Sequence, residues 1–133
     1  MRRVWIFRIL TLLYIIAVAV LCFARFSALP PSPASIFGIP ADKVVHFLMF
    51  LPFPVLAFFS LRLSRGGVVK TLLVLVAVFI VGCGLAWGTE YIQSKLPYRT
   101  MDPADFGADR LGLICGSFIA FFIKLFSRKK KNA

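Results

Sequence analysis

Four stretches of mainly apolar residues follow one another along the chain, at about 4–23, 44–63, 69–90 and 106–126. A helix rises about 1.5 Å per residue, so roughly 20 apolar residues carry it across a hydrocarbon layer of about 30 Å. In lipid only helices and closed barrels satisfy their own backbone hydrogen bonds. With 133 residues in all, four crossings leave no length for a separate soluble core. The sequence predicts an all-α, polytopic membrane protein, a four-transmembrane-helix bundle forming a single domain over 1–133. Composition agrees: 60% of residues are hydrophobic and 16% charged, where a soluble domain is near half apolar and a quarter charged.

Sixteen Lys and Arg against five Asp and Glu give a net charge of +11. Nucleic acid is the first partner such a balance suggests, but a phosphate-tracking patch needs a soluble face, and no polar segment here is long enough to make one. No nucleic acid partner is expected; membrane lipids are. Sorted by span ends, Arg2, Arg3, Arg8, Arg62, Arg65, Lys70, Lys124, Arg128, Lys129, Lys130 and Lys131 fall on one side. Arg25, Lys43, Lys95, Arg99 and Arg110 fall on the other, together with every acid: Asp42, Glu90, Asp102, Asp105 and Asp109. Basic residues collect on the cytoplasmic side, so both termini are expected there. The tail Arg128–Lys131 could also attract anionic headgroups, at about 1 kcal/mol per residue, but a topology signal needs nothing more.

The first span reads as a retained anchor, since its apolar run is too long for a signal peptide and lacks a small-residue cleavage site. Arg8 would snorkel to the interface. Pro30, Pro31, Pro33 and Pro40 mark 24–41 as an extended, outward-facing link. Pro52 and Pro54 interrupt the second span, freeing the carbonyls of Leu48 and Phe50 and predicting a kink. Arg65-Gly66-Gly67 suits a tight helical hairpin. Gly84 with Gly88, and Gly112 with Gly116, are small-residue steps that allow close helix approach in lipid. Were the two steps to face each other, Glu90 would come near Asp105 and Asp109. Cys22, Cys83 and Cys115 lie in apolar runs without metal or redox spacing and read as packing residues, with a bridge between two of them left open.

The outer polar residues fall at helical spacing. Asp42 and His46 are four apart, Glu90 and Gln93 three apart, and Asp102, Asp105 and Asp109 lie at i, i+3 and i+7, so each set shares a helix face. Capping alone accounts for Asp102 ahead of Pro103, and Asp42 could equally cap the second span. His46, Glu90 and Asp109 are harder to explain that way, because ionisable groups at or inside a span are costly and usually pair or serve a function. Arg99 could bind a phosphate or carboxylate bidentately, or equally bridge to Glu90 or Asp105.

Asp42-Lys43-Val44-Val45-His46-Phe47, Glu90-Tyr91-Ile92-Gln93, Pro97-Tyr98-Arg99, and Asp105 with Gly112 and Gly116, taken in order, resemble the pattern of VanZ-like membrane proteins. The resemblance runs from Asp42 to Gly116. One residue departs from it: Asp109 stands where the family commonly has Asn, so an amide hydrogen bond there does not carry over. The resemblance implies a small multi-pass protein of the bacterial plasma membrane and cell envelope. The family's founding member is associated with low-level resistance to the glycopeptide teicoplanin, and a link to such resistance is implied here.

Two functions remain open. In one, the outer cluster is an active site on a lipid-linked, phosphate- or glycan-bearing envelope component. Arg99 and Lys43 would hold the anion, His46 or Glu90 would be general acid or base, and Asp42 or Asp105 would orient the partner. This gives His46, Glu90 and Asp105 as catalytic candidates and Asp42, Lys43, Gln93, Arg99 and Asp109 as binding candidates. No motif names a nucleophile, since Ser94 and Thr100 lack an adjacent base. Three or four carboxylates could hold Mg²⁺ or Ca²⁺. Zinc is the weaker reading with one His and no Cys at ligand spacing, and no metal ligand is assigned. In the other function, an accessory protein binds a lipid, precursor or drug, and the polar residues pair helices and recognise the ligand. Transport has little support from four short spans with no acid at mid-membrane depth.

Overall fold

The computed structural model describes residues 2–23, 35–61, 67–97 and 103–132. Its helices are α1 (Arg2–Phe23), α2 (Ala41–Phe50), α3 (Pro52–Ser60), α4 (Val68–Ser94) and α5 (Pro103–Asn132). Four segments are long and apolar enough to cross a membrane: Arg2–Cys22, Lys43–Ser60, Val68–Ser94 and Pro103–Lys130. The chain is an all-helical membrane protein. The spans match the apolar runs, with α4 and α5 extending several residues beyond them at polar ends.

The second span is divided at Leu51, where α2 gives way to α3. Pro52 supplies no N–H to Leu48, and Pro54 none to Phe50, so regular helix cannot continue there unbroken. Leu51 still donates to the Phe47 carbonyl, 3.0 Å away, which holds the two pieces roughly in line. Polar side chains of α1 bond to this interrupted span. The Tyr14 hydroxyl donates to the carbonyl of Met49. Thr11 donates to Leu56 at 3.1 Å, and Arg8 Nε to Ser60 at 3.2 Å. Met49 and Ser60 lie in the last turns of α2 and α3, where carbonyls lack intrahelical partners, and Tyr14 and Arg8 help to satisfy them in a medium without water.

The glycine steps pack differently from the expectation that they face each other. A Cβ at Gly84 or Gly88 would meet nothing within 4 Å. A Cβ at Gly112 would overlap the Phe47 carbonyl oxygen, and one at Gly116 the Leu51 oxygen and the Pro54 ring. Helix α5 therefore lies backbone to backbone on the proline-broken span. Gly82 is the glycine of α4 that meets another helix, against Leu113 of α5 and Phe53 of α3. Proline removes helical symmetry on one side and glycine removes bulk on the other, which fixes where the two helices meet.

Leu113, Ala86 and Ala120 are fully buried, while Ile80, Val81, Phe118 and Phe126 are more than half exposed. Ala86 and Ala120 allow close approach of helices in lipid, while Leu113 with Phe50, Phe53 and Phe58, each 5% exposed or less, packs between them. Arg3 and Val4 of α1 share a pocket with Ile123 and Lys124 of α5, so the first and last helices begin and end at the same end of the bundle.

Within the link expected to be extended, Ser35–Ile36 pairs antiparallel with Ile39–Pro40. The turn uses positive φ at Phe37 (53°) and Gly38 (79°), the conformation that two-residue hairpins favour. Pro30, Pro31 and Pro33 lie outside the described residues. None of the three cysteines forms a disulfide, and Cys22 is buried with its sulfur 3.8 Å from that of Met49.

Candidate functional site

At the end of the bundle opposite the basic residues, α2 and α5 begin and α4 ends. Lys43 and His46 are three apart on α2, and Asp105 and Asp109 four apart on α5, so each pair presents one face. The close approach of Gly112 to the Phe47 carbonyl comes one residue after His46 on α2 and about one turn after Asp109 on α5, and sets these faces opposite each other. Glu90 comes in from the last turns of α4.

His46 is the centre. Its Nδ1 is 2.9 Å from Asp109 Oδ1 and 3.8 Å from Glu90 Oε1, and its Nε2 is 3.4 Å from Asp105 Oδ2. Lys43 Nζ pairs with Asp105 Oδ1. Glu90 and Asp109 are 1% and 0% exposed, and Asp105 7%. Among the described residues, both oxygens of Glu90, and Oδ2 of Asp109, have no hydrogen-bond partner. A neutral imidazole carries one N–H and can serve only one of its two carboxylate neighbours; the imidazolium serves both. In either state Glu90 gains no hydrogen bond at 3.8 Å. Leaving a buried polar group unsatisfied costs about 1–3 kcal/mol, and more when it is charged.

The structure thus brings together Lys43, His46, Glu90, Asp105 and Asp109 from three helices. Gln93 stands apart: its Nε2 donates to the Cys22 carbonyl at 2.9 Å and ties the end of α4 to the end of α1. Asp42 lies in the first turn of α2. Arg99, Thr100 and Asp102 lie outside the described residues. Ser94 Oγ donates to the Tyr91 carbonyl of its own helix. Tyr14 was not singled out in the sequence; a tyrosine in an apolar span needs a partner for its hydroxyl, and that is the one available signal.

A protein of the fission yeast Schizosaccharomyces pombe, described as uncharacterized, is 30% identical over 100 residues, which make up 75% of this chain and 55% of that protein. The chain spans about half the length of that relative. No family model matches the chain. No solved structure matches it.

Chemically, the cluster combines a histidine able to pass a proton, carboxylates on either side of its ring, and one ammonium group. Such an arrangement can orient and exchange protons, or collect a cation; its carboxylates outnumber its ammonium three to one.

Proposed function

We propose that this is a VanZ-like protein of the bacterial cell envelope whose polar cluster binds and modifies the headgroup of a lipid-linked, phosphate-bearing component. His46 acts as general acid and base, oriented by Asp109 and Asp105, and Glu90 faces the reacting group. The observation that carries this reading is Glu90: a carboxylate 1% exposed, with both oxygens unpartnered among the described residues, beside a histidine. Helix pairing alone does not account for a group that makes no bond. The likeness to a fungal protein favours a ligand class that fungal membranes also contain, such as phosphate-bearing lipids, over a link confined to teicoplanin.

The test uses the protein in nanodiscs containing a photoreactive, polyprenyl-phosphate-linked glycan, with cross-linking as the binding readout and mass spectrometry of the lipid as the turnover readout. His46→Ala and Glu90→Gln are expected to abolish conversion and leave cross-linking measurable. Full conversion by both variants removes these catalytic assignments. The Lys43–Asp105 pair between α2 and α5 favours a second reading, a binding protein without turnover; cross-linking with no conversion by the wild type decides for it.

The same reading puts both termini in the cytoplasm. It is supported by the gathering of Arg3 and Lys124 at the end opposite the acids. Reporter domains fused to either terminus are expected to signal from the cytoplasm; a periplasmic signal from either reverses the orientation.

A further inference from the structure

We infer that His46, Glu90 and Asp109 form a binding site for a divalent transition-metal ion of the zinc type, with the ion supplying the contact to the phosphate of the ligand. The inference rests on the phosphate-lipid reading above for the ligand, but not for the ion, and with an ion bound it gives His46 a ligand's role in place of the proton transfer assigned there.

One ligand atom from each of the three residues lies within 4.8 Å of the other two. Tetrahedral ligands bound at about 2.0–2.1 Å sit roughly 3.3 Å apart, so modest rotation of the Glu90 side chain closes the set. Charge points the same way. Counted as ionised, and among the described residues, the carboxylates of Glu90, Asp105 and Asp109 outnumber the ammonium of Lys43 by two, with His46 as a neutral ligand. A divalent cation cancels both. Protonating His46 would cancel one and leave Glu90 without a bond.

The surroundings of His46 are those of a metal-binding histidine. With Nδ1 on the ion, the remaining ring proton sits on Nε2, facing Asp105 Oδ2 at 3.4 Å, and Asp105 is itself held by Lys43. Ligating histidines usually donate their second N–H to a carboxylate or carbonyl in this way. A nitrogen ligand beside two carboxylates suits zinc better than Mg²⁺ or Ca²⁺, which take oxygen. Three protein ligands leave the fourth position of a tetrahedral ion open, the pattern of zinc sites that bind a reactant. Spacing along the chain conceals this set, because each ligand comes from a different helix.

Zn²⁺ alone is the probe. Detergent-purified protein, stripped with chelator and then dialysed against Zn²⁺, is expected to retain about one ion per chain. Retention should be lost in His46→Ala and Glu90→Gln, with folding of each checked by circular dichroism and gel filtration. Asp105→Asn, which leaves all three ligands in place, should weaken binding about 10–100-fold. Co²⁺ in place of zinc should give the visible bands of a four-coordinate ion. Mg²⁺ should not compete. No zinc above background, or equal zinc in the wild type and both ligand variants, overturns the site. Cross-linking of the polyprenyl-phosphate probe that is weakened but still measurable after chelation, weakened equally in His46→Ala and Glu90→Gln, and restored in the wild type alone by Zn²⁺ supports the ion's role toward phosphate. Cross-linking at the full level without metal refutes that role and leaves the lipid reading standing; zinc bound with no cross-linking does the reverse.

Discussion

Replacing Glu90 with leucine is expected to stabilise the metal-free protein by about 1–3 kcal/mol while abolishing the proposed lipid conversion. Most substitutions at a site 1% exposed are destabilising, so the sign is the informative part. Glu90 presents two oxygens that no donor among the described residues reaches, with His46 Nδ1 3.8 Å away. Leucine removes both oxygens and their desolvation cost while filling a similar volume. The change strands no hydrogen-bonded partner among the described residues, so the large loss that follows the breaking of a buried pair does not apply. Reversible unfolding in mixed micelles measures the change. A loss of stability in Glu90→Leu without metal would mean that Glu90 acts as a structural tie to His46, and the functional reading would lose its main support. Added zinc sharpens the contrast. At about one hundred times the dissociation constant, an ion bound to the folded state adds about 2.7 kcal/mol. The wild type should gain it and Glu90→Leu should not, so the order of stability is expected to reverse or close as zinc is added.

That the stability effect and the functional effect should oppose each other at Glu90 explains why this residue could be suspected from sequence. A carboxylate near the end of an apolar run has no reason to be there for packing. The spans were legible for a related reason: length and hydropathy are local properties, and the lipid imposes them segment by segment. The order in which helices touch is not local. Gly84-xxx-Gly88 and Gly112-xxx-Gly116 carry the same signal in sequence, yet only the second is in contact, because it meets the backbone that Pro52 and Pro54 interrupt. Gln93 shares a helix face with Glu90 but bonds to the Cys22 carbonyl, and backbone acceptors of another helix leave no trace in a pattern of side chains. The turn at Phe37-Gly38 was hidden too, since a bulky residue at positive φ is an uncommon hairpin signal. Most of the candidate cluster was visible as residues; its wiring was not.

Lys43 shows that difference most clearly, and its removal carries the largest stability effect expected at the site. From sequence it reads as a holder of an anionic ligand, but its ammonium is paired with Asp105 between α2 and α5. Lys43→Ala leaves a carboxylate 7% exposed without its cation, and breaking a buried pair in this manner costs about 3–5 kcal/mol. Asp105→Ala should cost less. The Lys43 side chain keeps 17% exposure at the helix start and can carry its charge toward the interface along its flexible stem. The double variant Lys43→Met with Asp105→Leu should recover most of the loss, because neither charge is then stranded. A double-mutant cycle in the same micellar unfolding assay isolates the coupling, and contact pairs typically give about 0.5–3 kcal/mol of it. A coupling near zero, with both single variants losing under about 1 kcal/mol, is the behaviour of an exposed surface pair and would free Lys43 for a ligand. Strong coupling instead makes Lys43 the support of Asp105, and through Asp105 of the His46 ring. The phosphate must then be met by a positive charge other than Lys43, which is the part the proposed metal ion would play.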